Sequence, residues 1–142
     1  MIKVVFKVGD DISTDHIYPG RYMATVLPKE TPQYAFADYA DFNGRLKKKE
    51  VPAGSVIVAG KNFGCGSSRE QAASTLKGWG LTVIARGFAR IFLQNSINLG
   101  LNTVICPTIE AEEGDEVEVT PETVAKVLRS ALQGMGARPA RA

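Results

Sequence analysis

Three short apolar segments, separated by helix-length stretches, constrain the fold of this chain more than any other feature. Residues 55–60 (SVIVAG) and 82–85 (TVIA) are short and largely apolar, which is typical of buried strands. Residues 102–106 (NTVIC) predict a third short strand, which ends at a proline. The intervening residues 68–79 and 88–99 have the length and composition of helices. Strands that alternate with helices in this way predict an α/β fold with a parallel-strand core flanked by helices and joined by right-handed crossovers.

The two ends of the chain lie outside this alternation. Residues 1–8 predict a first strand, and residues 115–119 (DEVEV) alternate as a half-exposed strand near an edge does. Residues 120–132 predict a last helix, because Pro121 lies near its start, where proline is favoured. We expect residues 134–142 to form a flexible C-terminal tail, so that one domain covers residues 1–133.

The region between the first two predicted strands has a less regular pattern. Residues 9–20 predict a long ordered loop, because turn formers surround a few apolar side chains. Residues 32–39 have the composition of a short helix. Turn formers at 43–44 and 52–54 bracket the lysine run at 47–49, which is typical of a solvated turn.

Composition and charge argue against several classes of function. The 142 residues are 44% hydrophobic and 23% charged, with a formal net charge of +2, as in one globular domain. No basic stripe of the nucleic-acid-binding kind is present, and no apolar run approaches the ~20 residues that span a bilayer. We therefore expect no nucleic-acid partner, no membrane partner and a cytoplasmic location. Cys65, Cys106 and the single histidine, His16, are too few for a zinc or iron–sulfur site, so we expect this chain to bind no metal.

The most distinctive local sequence is residues 62–70 (NFGCGSSRE), just after a predicted strand. It places the hydroxyls of Ser67 and Ser68 and the guanidinium of Arg69 at the expected start of a helix. Spacing alone favours a helix cap, because a serine three residues before an acid or amide forms a capping box. The segment also suits an anion, because a helix start exposes unpaired N–H groups and arginine binds carboxylates with two donors. The two interpretations are compatible. Neither a Gly-x-Ser-x-Gly elbow nor a nucleotide-binding glycine motif is present.

A second polar cluster lies at residues 10–16 (DDISTDH). Its spacing is weakly similar to a calcium loop, but the required glycine and late glutamate are missing. Two interpretations remain open. Asp15 is a buried acceptor that orients an arginine or His16, or the loop only makes local side-chain turns. Cys65 is interpreted as a small packing residue.

Together these stretches resemble the small subunits of the aconitase superfamily, in particular those of isopropylmalate isomerases (3-isopropylmalate dehydratases) and homoaconitases. Residues 11–17 (DISTDHI) are similar to the family's Asp-x-x-Thr-Asp motif, and residues 62–70 match its signature almost letter for letter. Residues 87–92 (GFARIF) and Asn95 fit its later helix. The similarity covers about residues 3–107.

The resemblance implies a swivelling β/β/α domain that closes over an active site held mainly by a separate large subunit with a [4Fe–4S] cluster. It implies that Ser67 is the base that removes and returns the proton next to a substrate carboxylate, and that Arg69 binds a carboxylate. Ser68 would help to hold the substrate, and Asp15 would be an electrostatic or orienting partner. The implied reaction is a reversible dehydration and rehydration that moves a hydroxyl between adjacent carbons of a malate-type acid. This chain alone would be inactive.

The resemblance also places substrate choice in the loop formed by Tyr22, Met23, Ala24 and Thr25, with Arg21 just before it. Homoaconitases of this type tend to have an arginine where Ala24 stands, whereas isopropylmalate isomerases have small or apolar residues. Ala24 beside Met23 favours isopropylmalate and leucine biosynthesis, because a buried third carboxylate without a cation is costly. Thr25 resembles the homoaconitase loop and Arg21 could reach in, so a homoaconitase or another malate-type hydro-lyase stays open. A carboxylate-binding module without chemistry is a third hypothesis.

Overall fold

A mixed sheet forms the centre of the structure, a computed structural model that describes residues 2–24, 27, 29–119, 123–127 and 138–141. Its strands are β1 (Ile2–Lys7), β2 (Val56–Ala59), β3 (Thr82–Ala85), β4 (Asn102–Ile105), β5 (Glu116–Val119), β6 (Thr123–Val127) and β7 (Arg138–Arg141). Within these ranges the strand order is β4-β3-β2-β1-β5-β6-β7. The helices are α1 (Thr14–Ile17), α2 (Ala40–Lys47), α3 (Glu70–Gly78) and α4 (Arg90–Leu99), with 3-10 turns at Gly20–Tyr22 and Thr31–Tyr34. None of the helices in the described part of the chain is long and apolar enough to cross a lipid bilayer.

The strands β1 to β4 run parallel. β2 and β3 are buried along their whole length, whereas β4 lies at the edge and has no fully buried residue. In β2, Val56 and Val58 pack into the core on one face, whereas Ile57 and Ala59 pack into the core on the other. All four side chains are at most 3% exposed, so β2 is buried on both faces as its continuous apolar sequence predicts. The predicted α/β fold with a parallel-strand core flanked by helices is confirmed.

The predicted helices after β2 and β3 are present as α3 and α4, and each begins two residues later than the sequence pattern indicates. The buried positions of α3 include Ala72, Ala73 and Leu76, whose spacing of three and four residues places them on one face against the sheet. α4 ends at Gly100, whose φ of 78° is in the left-handed region that favours glycine at a helix end.

The prediction of a helix at 32–39 is wrong. A 3-10 turn, Thr31–Tyr34, occupies its start, and α2 lies further along, where turn formers were expected. Asn43 explains the difference, because it is buried within α2 and its side-chain amide donates to the carbonyl oxygens of Gln33 (3.1 Å) and Ala35 (2.8 Å). The sequence pattern predicted a turn at Asn43. In the structure Asn43 lies in a helix, and its side chain supplies hydrogen bonds to backbone carbonyl groups of the preceding segment.

The prediction of a last helix is also wrong for residues 123–127, which form β6. This strand pairs antiparallel with β5, with Val119 opposite Val124, and three residues connect the two strands. β-Branched residues such as Thr123, Val124 and Val127 favour strands, and a short connection favours a hairpin. β7 pairs with β6. The boundary between residues 133 and 134 lies outside the described residues, so the division into a domain and a flexible tail stays a prediction.

Candidate functional site

The two polar loops identified in the sequence lie side by side, at the carboxyl ends of the parallel strands β1 and β2. The N–H of Asp11 donates to the carbonyl oxygen of Lys61 (2.9 Å), that of Gly64 to Ile12 (2.7 Å), and that of Thr14 to Cys65 (2.7 Å). These hydrogen bonds join the loops into one unit. Ligands in parallel sheets are commonly bound at this edge.

Gly64 fixes the second loop against helix α4. Its φ is +86°, and a Cβ atom at this position would lie 2.2 Å from Cγ of Phe92, which is far inside van der Waals contact. The neighbouring Phe63 is fully buried and exchanges backbone hydrogen bonds with Gly87 (3.0 Å) and Ala89 (2.9 Å). The loop that precedes Ser67 is therefore held by close packing as well as by hydrogen bonds.

Asp15 and Arg69 form an ion pair that connects the two loops. Nη1 of Arg69 donates to Oδ1 of Asp15 (2.7 Å) and to the carbonyl oxygen of Tyr18 (3.2 Å). The N–H of Gly20 donates to the same Oδ1 at 2.8 Å. The side chain of Arg69 is 16% exposed and that of Asp15 is 64% exposed. Asp15 thus orients an arginine, as one interpretation of the loop had it, but it is an exposed acceptor and not a buried one.

The electrostatics of this pair keep Asp15 ionised. The hydrogen bonds from the Arg69 guanidinium and the Gly20 N–H lower the pKa of the Asp15 carboxyl below its ordinary value. The carboxylate is therefore charged throughout the neutral range, and it fixes one edge of the guanidinium.

His16 belongs to a local turn rather than to the ion pair. The N–H of Ser13 donates to Nδ1 of His16 (2.9 Å), and the N–H of His16 donates to Oγ of Ser13 (3.2 Å). This reciprocal pair is a capping box at the start of α1. The interpretation of local side-chain turns therefore holds for Ser13 and His16, whereas Asp15 orients Arg69 without being buried.

Ser67 and Ser68 do not cap α3, so the capping interpretation is wrong. The N-cap residue is Arg69, with φ −72° and ψ 111° and no side-chain cap. Its guanidinium is tied to the first loop, and the helix begins only at Glu70. Both serines are exposed, and neither hydroxyl has a hydrogen-bond partner among the described residues. The backbone of Ser67 is nevertheless fixed, because the buried Thr14 donates from Oγ1 to the Ser67 carbonyl oxygen at 3.0 Å.

The second edge of the Arg69 guanidinium is unpaired. Nε is buried without a hydrogen-bond partner, and Nη2 makes no hydrogen bond within the described part of the chain. Gly20 lies against this edge, since a Cβ there would be 3.2 Å from Nη2 and 3.3 Å from Oδ1 of Asp15. A buried donor without an acceptor is rare and costs about 1–3 kcal/mol. The site therefore holds donors that an anionic ligand is suited to satisfy.

The predicted substrate loop follows Gly20 directly. Arg21 forms a two-pronged ion pair with Asp38, in which Nη1 donates to Oδ2 at 3.1 Å and Nη2 donates to Oδ1. Cζ of Arg21 lies 4.7 Å from the centre of the Tyr22 ring, which stacks on Tyr34 at 4.0 Å. Arg21 thus lies next to the site, but its guanidinium is bound by the carboxylate of Asp38. No local sequence signal indicated Asp38, which lies 17 residues further along the chain.

The remaining residues of this loop lie on the surface. Met23 is 42% exposed and Ala24 is also exposed. The Met23 carbonyl oxygen accepts a hydrogen bond from Nε2 of Gln71 at 3.2 Å, which attaches the loop to the first turn of α3. Thr25 lies outside the described residues.

The aconitase C-terminal domain family matches residues 11–108, a range that includes both loops and α4. The chain belongs to this family. The resemblance found in the sequence motifs is therefore confirmed.

Related proteins carry several substrate names. The chain is 51% identical over 114 residues to 3-isopropylmalate dehydratase small subunit 1 of Methanopyrus kandleri, a match of 78% of this chain to 65% of that protein. It is 51% identical to the methanogen homoaconitase small subunit of Methanocaldococcus jannaschii, over 80% of this chain and 65% of that protein. It is 48% identical to the 2,3-dimethylmalate dehydratase small subunit of Eubacterium barkeri, over 81% of this chain and 70% of that protein. The chain thus spans about two thirds of the length of such curated relatives.

A solved structure is similar to this chain in both fold and sequence. The crystal structure of 3-isopropylmalate dehydratase (leuD) from Methanocaldococcus jannaschii superposes with a TM-score of 0.75 at 45% identity, covering 86% of this chain and 72% of that chain. The aconitase-type architecture of this chain follows from that match.

The residues of this chain do not fit an iron–sulfur cluster of their own. A [4Fe–4S] cluster is commonly held by four thiolates, and the chain has two cysteines. Cys106 is buried in a core with Val56 and Ile84, whereas Cys65 pairs through its backbone with Ser13 in the site loops. In the described ranges no group of three or more His, Cys, Asp or Glu side chains is placed to hold a metal.

Proposed function

We propose that this chain is the small subunit of a 3-isopropylmalate dehydratase, which interconverts 2-isopropylmalate and 3-isopropylmalate in leucine biosynthesis. The observation that carries the proposal is the arrangement at residues 67–69, where two serines with exposed side chains precede an arginine whose guanidinium has one edge fixed by Asp15 and one edge unpaired. Matches to relatives with this name at 46–51% identity support it. A cytoplasmic location is part of the same proposal.

Arg69 binds a substrate carboxylate in this proposal. Asp15 and Tyr18 hold Nη1, so the side chain is oriented before the substrate arrives. Nη2 makes no hydrogen bond within the described part of the chain, and Nε is buried without a partner. A carboxylate that reached this edge would supply acceptors for both donors. The absence of a side chain at Gly20 keeps the space beside Nη2 open.

Ser67 acts as the base that removes, and later returns, the proton next to that carboxylate. A serine hydroxyl is a weak base in water, and it acts only where nearby donors stabilise its alkoxide and water is excluded. The Arg69 guanidinium and the free N–H groups at the start of α3 are such donors. Ser68 helps to hold the substrate, and Asp15 keeps Arg69 in position.

The exposure of Ser67 supports the proposal of a partner. In this chain both serines are open to solvent, whereas proton removal by an alkoxide needs a dry site. We infer that a large subunit covers this surface and holds the [4Fe–4S] cluster, which supplies a Lewis acid for the hydroxyl that leaves and returns. The chain alone is then inactive.

Substrate choice within the proposal rests on charge. Ala24 offers no cation and Arg21 is engaged by Asp38, so a third substrate carboxylate has no obvious counter-ion on this loop and its desolvation is costly. This favours a diacid with an apolar branch. A homoaconitase or a dimethylmalate dehydratase is the alternative, because relatives with those names are 51% and 48% identical to this chain.

Anaerobic co-expression with a candidate large subunit tests the proposal. We expect the two chains to co-purify and the complex, but neither chain alone, to turn over isopropylmalate. Homocitrate and 2,3-dimethylmalate are assayed in parallel. Turnover of homocitrate alone would reverse the substrate assignment, turnover by the isolated chain would contradict the subunit role, and no co-purification would favour a carboxylate-binding module.

A further inference from the structure

Arg21 is a second cation at the border of the site. It directly follows Gly20, whose N–H donates to Asp15 at 2.8 Å and whose Cα faces Nη2 of Arg69. A guanidinium attached at this point is close enough in the chain to serve the same ligand as Arg69. Another group must therefore hold Arg21 if only Arg69 is to bind the ligand.

Asp38 engages both terminal nitrogens of this second guanidinium, in an ion pair whose two side chains are about half exposed. Both carboxylate oxygens of Asp38 accept hydrogen bonds from Arg21, and the stacked rings of Tyr22 and Tyr34 support the face of the guanidinium. The two-pronged geometry fixes the plane as well as the position of the group.

Asp38 also belongs electrostatically to the site. The hydrogen bonds from Arg21 lower the pKa of Asp38, and the negative charge of Asp15 opposes this shift. Asp38 therefore lies within electrostatic range of Asp15. Of the two cations beside the site, Arg69 keeps an unpaired edge, whereas Arg21 is neutralised by a partner that does not bind Arg69.

We propose that Asp38 is a specificity-determining residue, which holds Arg21 away from the substrate and so limits the site to diacids with an uncharged branch. This inference rests on the proposed function. It assigns the selection against a third carboxylate to an ion pair between Arg21 and Asp38 and not only to the small side chain of Ala24.

The kinetic test uses the reconstituted complex with Asp38→Asn, which removes the charge and keeps the shape. We expect kcat/KM for homocitrate, relative to isopropylmalate, to rise by about fivefold, since a freed exposed cation contributes an ion pair of ordinary strength. The gain is expected mainly in KM, because the reacting groups are untouched. The double variant Asp38→Asn/Arg21→Gln is expected to return the ratio to the wild-type value. An unchanged ratio in the single variant, or a gain that persists in the double variant, would overturn the proposal.

A binding test separates this inference from the proposed function. The full chain, labelled with ¹⁵N at arginine side chains, is titrated with the triacid tricarballylate and with the diacid isopropylsuccinate. In Asp38→Asn we expect tricarballylate to shift the Arg21 resonance and isopropylsuccinate to leave it unchanged. In the wild type we expect the two acids to have the same effect on that resonance. If the two acids also have the same effect on the Arg21 resonance in the variant, the inference fails even if the complex is active. If the difference is present but the complex is inactive on all acids, the proposed function fails and with it the role of Asp38 in substrate choice, although the restraint of Arg21 by Asp38 is upheld.

Discussion

Gly64→Ala is the substitution that most sharply tests how the site loop is held. A Cβ at Gly64 would lie 2.2, 2.5 and 2.7 Å from Cγ, Cβ and Cδ1 of Phe92. Phe92 has little freedom to move, because it is 2% exposed and packs on Phe63 at 5.3 Å and on Phe88 at 6.1 Å. The methyl group therefore has to displace either a buried ring or the loop itself.

Two terms set the expected cost of this change. A φ of +86° is strained for an L-residue by about 1–2 kcal/mol, and overpacking of a close-packed core costs about 1–3 kcal/mol. Together they predict a loss of about 2–5 kcal/mol in the free energy of unfolding. Because residues 65–67 follow directly, we also expect the loop to shift and turnover by the reconstituted complex to fall.

Urea unfolding of the variant measures this cost, and Gly44→Ala is the matched control. Among the described residues, no atom outside the adjoining residues and the local helix backbone lies within 4 Å of a Cβ built at Gly44. Gly44 is in α2, so alanine is expected to stabilise the chain by about 0.5–1 kcal/mol. A loss below about 0.5 kcal/mol in Gly64→Ala, far under the combined terms, would show that the loop is not packed on α4 as described.

Two further substitutions probe the loops around Ser67. Thr14→Val removes the 3.0 Å hydrogen bond to the Ser67 carbonyl oxygen and should lower the free energy of unfolding by about 0.5–1.5 kcal/mol; urea unfolding of this isosteric pair checks it, and no change would mean that Thr14 does not fix Ser67. The lowered pKa of Asp15 predicts that its ionised form adds stability above its unfolded value near pH 4, a contribution that is lost as the pH falls through the folded value. Unfolding measured between pH 2 and pH 7 should therefore show a weaker acid dependence in Asp15→Asn, and identical curves would contradict the role of the ion pair.

The core of the fold could be predicted because its signal is local. All residues of β2, and all of β3 except Thr82, are apolar, since both faces of the sheet are covered there, and no distant contact is needed to recognise them. The region of α2 was predicted wrongly because Asn43 bonds to a segment that the local pattern does not specify. β6 was predicted wrongly because pairing with β5 outweighs the proline signal for a helix.

The candidate site was predictable in composition but not in detail. The motifs brought Asp15, Ser67 and Arg69 to attention, and the loops that carry them do lie together. Sequence spacing indicated a helix cap at Ser67 and Ser68, yet the N-cap residue is Arg69, whose side chain binds Asp15, and the helix begins at Glu70. An ion pair across two loops leaves no periodic trace in a sequence, and the same is true of the pair between Arg21 and Asp38.

Turnover by Ser67→Ala in the reconstituted complex is the most direct measurement of the central claim, that this hydroxyl moves the proton next to the carboxylate. Loss of a positioned general base predicts a fall in kcat of about 10² to 10⁴. KM and the free energy of unfolding should change little, because the exposed hydroxyl has no hydrogen-bond partner in the described part of the chain. Ser74→Ala, which removes a hydroxyl from α3 that faces Thr31 at 3.3 Å, is the control and should retain turnover. A Ser67→Ala complex with kcat within about threefold of the wild type, against the expected loss, would contradict the account.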